Sequence, residues 1–285
     1  MDKLKLVRNI LTGFVGQFII IILGLIIPRL FIDSYGSDVN GLISTIAQIF
    51  TYMALLEAGI GAASQNALYK PLREDNKTEI SEIISVTKEY FKKFTFLYGF
   101  GVILLALGLP FLLKTNVDSM VIFLIVLLEG MSGVISFYFV ETTVILLNVD
   151  GKSYVNNTIN LANKIIGYIV KIVMAILGIN IVILQLAYFL ITVVKVIFYE
   201  IYFRKNYSWV RFKRENKKLK LKDRNSYILT EVCWTIFSST DMIVLSMFVS
   251  TQLSSVYAIY NMIFTNITLL VNAVYMSIVY VLGYT

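Results

Sequence analysis

The chain has 285 residues, 58% of them hydrophobic and only 15% charged, with a single cysteine (Cys233) and no histidine. Soluble domains carry roughly 45–50% apolar residues, so this is no ordinary soluble domain, and the missing residue types exclude a disulfide framework, a multi-cysteine metal site and a histidine-centred triad. The net charge of +7 is not a nucleic-acid signature, because ten Lys/Arg against Glu215 and Asp223 between Arg204 and Arg224 account for it.

Apolar runs long enough to span a bilayer, about 17–25 residues each, recur eight times: 10–27, 42–63, 94–113, 120–140, 159–177, 181–202, 228–249 and 256–282. The first follows the basic start MDKLKLVRN and closes at Pro28-Arg29 without a small-x-small cleavage site, so it reads as an uncleaved transmembrane helix. Tyr35-Gly36 and Gly41-Leu42 shape a polar corner before the second run, which ends LLEAGIGAA. Ahead of the third run, KTEISEIISVTKEYFKKF has the pattern of a surface amphipathic helix. The fourth run can continue to Leu147, and the eighth is long enough to tilt.

Charge sets the orientation. The loops on the N-terminal side hold 20 Lys/Arg, whereas the connections 28–41, 114–119, 178–180 and 250–255 hold only Arg29 and Lys114. Lys/Arg concentrate in cytoplasmic loops, which puts the N-terminus in the cytoplasm. The basic loop 203–227 acts as an orientation device and an attractor of anionic headgroups. An echo at an offset of 214 aligns DVNGLISTIAQIF (38–50) with QLSSVYAIYNMIF (252–264), as an internal duplication would. The expected fold is an all-α integral membrane protein of about eight transmembrane helices. It divides into an N-terminal six-helix lobe (1–202), a basic cytoplasmic linker (203–227) and the first two helices of a second, apparently truncated repeat lobe (228–285).

Eight ionisable residues fall in the runs or their extensions: Glu57, Glu129, Glu141, Lys164, Lys171, Lys195, Glu231 and Asp241. Such residues are costly in a bilayer and face a protein interior or a watery cavity. By helix rise, Lys195, Glu57 and Lys164 lie in the cytoplasmic third, while Glu129, Lys171 and Asp241 lie near the middle or outer half. Opposite charges thus share two depths and can pair across helices. In the fifth run Asn160, Lys164, Tyr168 and Lys171 share one face, either a cationic stripe lining a cavity or two structural ion pairs. In the eighth, Tyr257, Asn261, Thr265, Thr268, Asn272 and Tyr275 form a polar stripe that suits either a sugar path or interhelical hydrogen bonding. The seventh run sets Glu231, Thr235 and Ser238 on one face, and the first carries Asn9, Gly13, Gly16 and Gln17. No G-x-S-x-G, P-loop or large catalytic loop is present, so the chain is expected not to be an enzyme.

PRLFIDSYGSDVNGLIS (28–44), Leu56-Glu57-Ala58-Gly59-Ile60-Gly61, SSTDMIVLSMF (238–248) and VYAIYNMIF (256–264) together resemble the polysaccharide transporter family. These are the O-antigen and capsule repeat-unit flippases of the multidrug/oligosaccharidyl-lipid/polysaccharide exporter superfamily. The resemblance implies two lobes related by a pseudo-two-fold axis, rocking between inward- and outward-open states in the bacterial cytoplasmic membrane. It implies a lipid diphosphate-linked oligosaccharide as cargo, moved to the outer leaflet for surface polysaccharide assembly. An ion gradient would drive the step, with H+ or Na+ as coupling cation and no other cofactor. The implied partners are membrane lipid, the lipid-linked oligosaccharide and polysaccharide assembly proteins, with no nucleic acid. Members are longer, so the chain is expected to be a truncated form or one of a pair of half-size chains. Because the cargo is anionic, Arg29, Lys164 and Lys171 are expected to attract its diphosphate, and Asn261 and Asn272 to meet its sugars. Glu57, Glu129 and Asp241 are expected in gating ion pairs or at a coupling cation. The rival readings are a multidrug or small-molecule exporter of the same superfamily, against which the intramembrane lysines speak, and a non-transporting membrane scaffold.

Overall fold

A computed structural model describes residues 18, 21–24, 26–212, 233 and 240–282, with the side chains of 54–58 and 269–282 outside the description. It is all-α among these residues. Helical residues 26–35 form α1; then come α2 (Ser37–Arg73), α3 (Lys77–Leu112), α4 (Ser119–Phe139), α5 (Glu141–Val149), α6 (Ser153–Ile176) and α7 (Ile181–Asn206). Residues 240–248 form α8, and α9 spans Thr251–Leu282. Four described helices, α3, α4, α6 and α7, are long and apolar enough to cross a membrane. They coincide with the expected third to sixth runs. The second and eighth runs fall on α2 and α9, while the first and seventh lie largely outside the described residues.

Local sequence chemistry sets the helix ends. The Asn76 side chain accepts from the Glu79 amide at 3.2 Å and donates to Glu79 Oε2 at 3.1 Å, a reciprocal cap that starts α3. Asp118 and Asn180 cap α4 and α7 by accepting from the amides of Met120 and Val182. Gly178, with φ +65°, stops α6: its amide donates to Ala175 and that of Ile179 to Met174, which satisfies two orphan carbonyls.

Two expectations about loops change. The segment 64–93 is not a long inner loop, because α2 continues to Arg73, a three-residue turn follows, and α3 starts at Lys77. The amphipathic stretch at the start of α3 does not lie on a membrane surface. It is collinear with the third run, and its apolar residues Ile80, Ile83, Ile84 and Phe91 are buried within the protein. The rest of the chain thus covers the face that the periodicity assigned to lipid. The fourth run does continue past 140, but through a break at Val140 into α5.

Packing proceeds α2 on α3, α3 on α4, α4 on α7 and α7 on α6, with α9 laid along α2. Phe94, Tyr98 and Phe137 form an aromatic centre between α3 and α4, with ring centroids 4.8–5.8 Å apart. Gly133 makes room for it, since a Cβ there would sit 2.5 Å from Tyr98 Oη. Outward, Phe96, Phe100, Ile103, Leu107 and Phe111 keep one face of α3 apolar and exposed, as contact with lipid tails requires. The chain is a membrane-embedded helical protein.

The four short connections meet at one end of the bundle. Tyr35 Oη donates to the Ile179 carbonyl at 2.7 Å, Asn116 Nδ2 to Asp38 Oδ2 at 3.1 Å, and Lys114 Nζ to the Phe248 carbonyl at 2.8 Å. At the opposite, basic end, residues 207–212 fold back on α3: the Arg211 amide donates to Ser81 Oγ at 3.4 Å, and Lys77 lies over the Trp209 ring. Tyr207 donates to Asp150 Oδ2 at 2.7 Å; burial and this carboxylate both push its phenol up. The rest of the basic linker lies outside the described residues.

Candidate functional site

The polar corner at 36–41 holds α9 against α2. Thr251 Oγ1 donates to Asp38 Oδ1 at 2.6 Å, Gln252 Nε2 to Asp38 Oδ2 at 3.0 Å, and Asn40 Nδ2 to Ser255 Oγ at 2.7 Å. Only a glycine fits at position 41, where a Cβ would lie 1.7 Å from the Thr251 carbonyl oxygen. Along the same helix Thr45 meets Ser246 and Tyr52 meets Thr240, so α8 runs antiparallel to α2.

Below this junction a cleft of about 310 Å³ opens between α1, α2, α8 and α9. Its polar lining is Asn40, Ser44, Gln48, Asn261, Thr265 and Asn266, all uncharged. Among the described residues, Gln48, Asn261, Thr265 and Asn266 make no side-chain hydrogen bond with one another or with any neighbour. A pocket of about 240 Å³ shares Pro28, Ile259 and Met262 with the cleft and adds Arg29 and Asp33, which face each other at 3.9 Å and are both exposed. Of the residues expected at the cargo site, Arg29 and Asn261 are thus brought to one continuous wall.

Lys171 and Glu129 form a separate cluster inside the α4–α6–α7 bundle. Gln185, 2% exposed, donates to Glu129 through its amide, and Lys171 Nζ lies 4.1 Å from the Tyr188 ring centroid. Glu129 acts electrostatically on Lys171, Tyr188 and Tyr98. No ion pair joins Lys171 to Glu129 among the described residues; each charge meets a neutral group instead, the Tyr188 ring or the Gln185 amide. Along α6, Asn160 Nδ2 donates to Asn156 Oδ1 at 2.9 Å, Lys164 is exposed, and Tyr168 approaches the helical residues 21–24, where a Cβ on Gly24 would lie 3.8 Å from its hydroxyl. Nearer the basic end, Glu141 acts on Lys195, and Tyr199 donates to Asn156 Oδ1 at 2.5 Å.

Asp241 accepts from Tyr257 Oη at 2.7 Å, which ties α8 to α9 beside the cleft. The side chains of Glu57, Asn272 and Tyr275, and residues Glu231, Thr235, Ser238 and Asn9–Gln17, lie outside the description. Among the described residues no three acidic or cysteine side chains gather as a metal site.

Sequence reading missed Gln48, Asn266, Gln185 and Tyr188. Gln185 and Gln48 each carried a signal, a lone amide inside an apolar run, but nothing in one dimension named their partners. The chain matches no protein-family model, no curated protein and no solved structure.

Proposed function

We propose that the protein is a flippase that carries lipid diphosphate-linked oligosaccharide units across the bilayer by alternating access. In this reading the N-terminus and the basic loops face the cytoplasm of a bacterium, and the cargo moves to the outer leaflet of the cytoplasmic membrane for polysaccharide assembly. The observation that carries it is the cleft between α1–α2 and α8–α9, where Gln48, Asn261, Thr265 and Asn266 offer uncommitted amides and hydroxyls next to the Arg29 guanidinium. Sugars need many neutral donors and acceptors, and a diphosphate needs a cation at one end.

Glu129 and Lys171 take the role of a coupling element in this reading, with H+ or Na+ as the driving ion, and Asp241 with Tyr257 acts as a gate between the two sides of the cleft. The test is translocation of a fluorescently labelled lipid diphosphate-linked oligosaccharide in vesicles containing the full chain. Asn261→Leu and Gln48→Leu should each slow it about three- to tenfold, the equivalent of one lost neutral hydrogen bond, and Arg29→Glu should slow it further. Translocation no faster than in protein-free vesicles sinks the reading, and unchanged rates in the leucine variants remove the cleft from the path.

A further inference from the structure

At the basic end, away from the cleft, α3, α4–α5, α7 and the 207–212 segment enclose a cavity of about 490 Å³. Its walls divide by chemistry. Phe139 and Phe212, 44% and 49% exposed, hold aromatic surface open at the rim. Lys88 and Arg204 bring cationic groups: Arg204 Nε donates to Glu200 Oε1 at 2.8 Å, and Lys88 Nζ stands 3.9 Å from the Phe212 ring centroid. With Glu200 as the carboxylate of the lining, the cavity keeps an excess positive charge.

Thr142 borders the cavity at 6% exposure, with its hydroxyl closed off from it. Ile197 and Ile201, exposed on the adjoining part of α7, supply an apolar track beside the cationic groups.

We propose that this cavity binds the phosphate headgroup of an anionic phospholipid from the leaflet at the basic end. Lys88 and the outer N–H groups of Arg204 hold the phosphate, and an acyl chain runs over Phe139 and Ile201. The site lies outside the cleft, and its occupancy does not depend on whether the protein transports anything. It is a lipid seat on the side of the bundle.

The purified full chain in neutral detergent can be titrated with phosphatidylglycerol, phosphatidylcholine and glycerol 3-phosphate, with bound molecules counted by native mass spectrometry. One saturable phosphatidylglycerol should bind about tenfold or more tighter than phosphatidylcholine, and glycerol 3-phosphate should not displace it. The Lys88→Gln/Arg204→Gln pair should lose that preference. Phe139→Glu sets a carboxylate on the exposed rim and should weaken phosphatidylglycerol binding about tenfold. That variant separates the cavity from salt-sensitive attraction to the basic linker, which it leaves untouched. Equal binding of the two lipids, full competition by glycerol 3-phosphate, or wild-type affinity in Phe139→Glu each overturns the proposal.

Discussion

Gln252 donates to Asp38 at 3.0 Å, and these are the two residues that head the aligned segments of the sequence echo. The first turns of α2 and α9 meet on this one carboxylate, with Thr251 and Asn116 completing its shell. The corner that looked like a simple turn in the sequence is therefore the fastening between the early and late parts of the chain.

That fastening should be pH-sensitive. Burial raises the Asp38 carboxyl, but the hydrogen bonds from Thr251, Asn116 and Gln252 outweigh it and hold it below its ordinary value. A lowered folded value means stability that is complete above the usual carboxylate range near about 4 and lost as pH falls through the folded value. Asp38→Asn should cost about 1 kcal/mol at neutral pH, a figure reduced for solvent screening at this half-exposed site. Melting curves of the wild type and the variant in detergent should converge below about pH 3. A constant gap at every pH would dismiss the carboxylate's role.

Gly41 allows no side chain. Its missing Cβ faces the Thr251 carbonyl oxygen and, at 3.0 Å, the Ser255 amide, and backbone cannot swing aside as a side chain can. Gly41→Ala should force α9 off α2 and cost about 1–3 kcal/mol or more. A cysteine pair at the α2–α9 contact that cross-links in the parent but not in the alanine variant would register the separation. Undiminished stability and cross-linking would mean that the helices do not approach this closely.

Gln185 and Glu129 should behave as a unit. Gln185→Leu strands a carboxylate among apolar groups, which costs about 1–3 kcal/mol and more if it stays charged. Removing both partners with Glu129→Leu should recover most of the loss, since the apolar pair leaves nothing unsatisfied. A double-mutant cycle on the melting temperature measures the coupling. Additive losses would show that the amide and the carboxylate do not depend on each other.

Lys171→Glu sets a second carboxylate beside Glu129 in a medium that screens poorly. Translocation should be abolished while insertion and expression persist, and Lys171→Arg should retain part of the activity because the Tyr188 face accepts either cation. Full activity in the glutamate variant would remove Lys171 from the mechanism.

How much of this was legible beforehand depended on the type of information each residue carries. Span length and hydropathy are local, so α3, α4, α6 and α7 could be read directly. Amphipathicity is local too, but it reports only that a face is apolar and not what covers it. That is why the first turns of α3, buried against protein through Ile84 and Phe91, read as a membrane-surface helix. Depth along a helix axis brought Lys171 and Glu129 to one level. Azimuth is not recoverable from a single helix, so Gln185 and the Tyr188 ring, the groups that contact them, did not emerge.

The continuity of α2 has a mechanical consequence. Its 37 residues run from the Asp38 fastening to Arg73, a rod about 55 Å long. Thr87 donates to Ser64 at 2.9 Å near the far end, so α3 moves with this rod as one lever, and a tilt of about 10° at Gly41 sweeps its far end through about 10 Å. Ångström-scale adjustments around Asn40 and Gln48 in the cleft are thereby amplified at the Glu74–Asn76 turn. A pair of spin labels on that turn and on α7 would turn an event at the cleft into a distance change easily read from outside the bilayer.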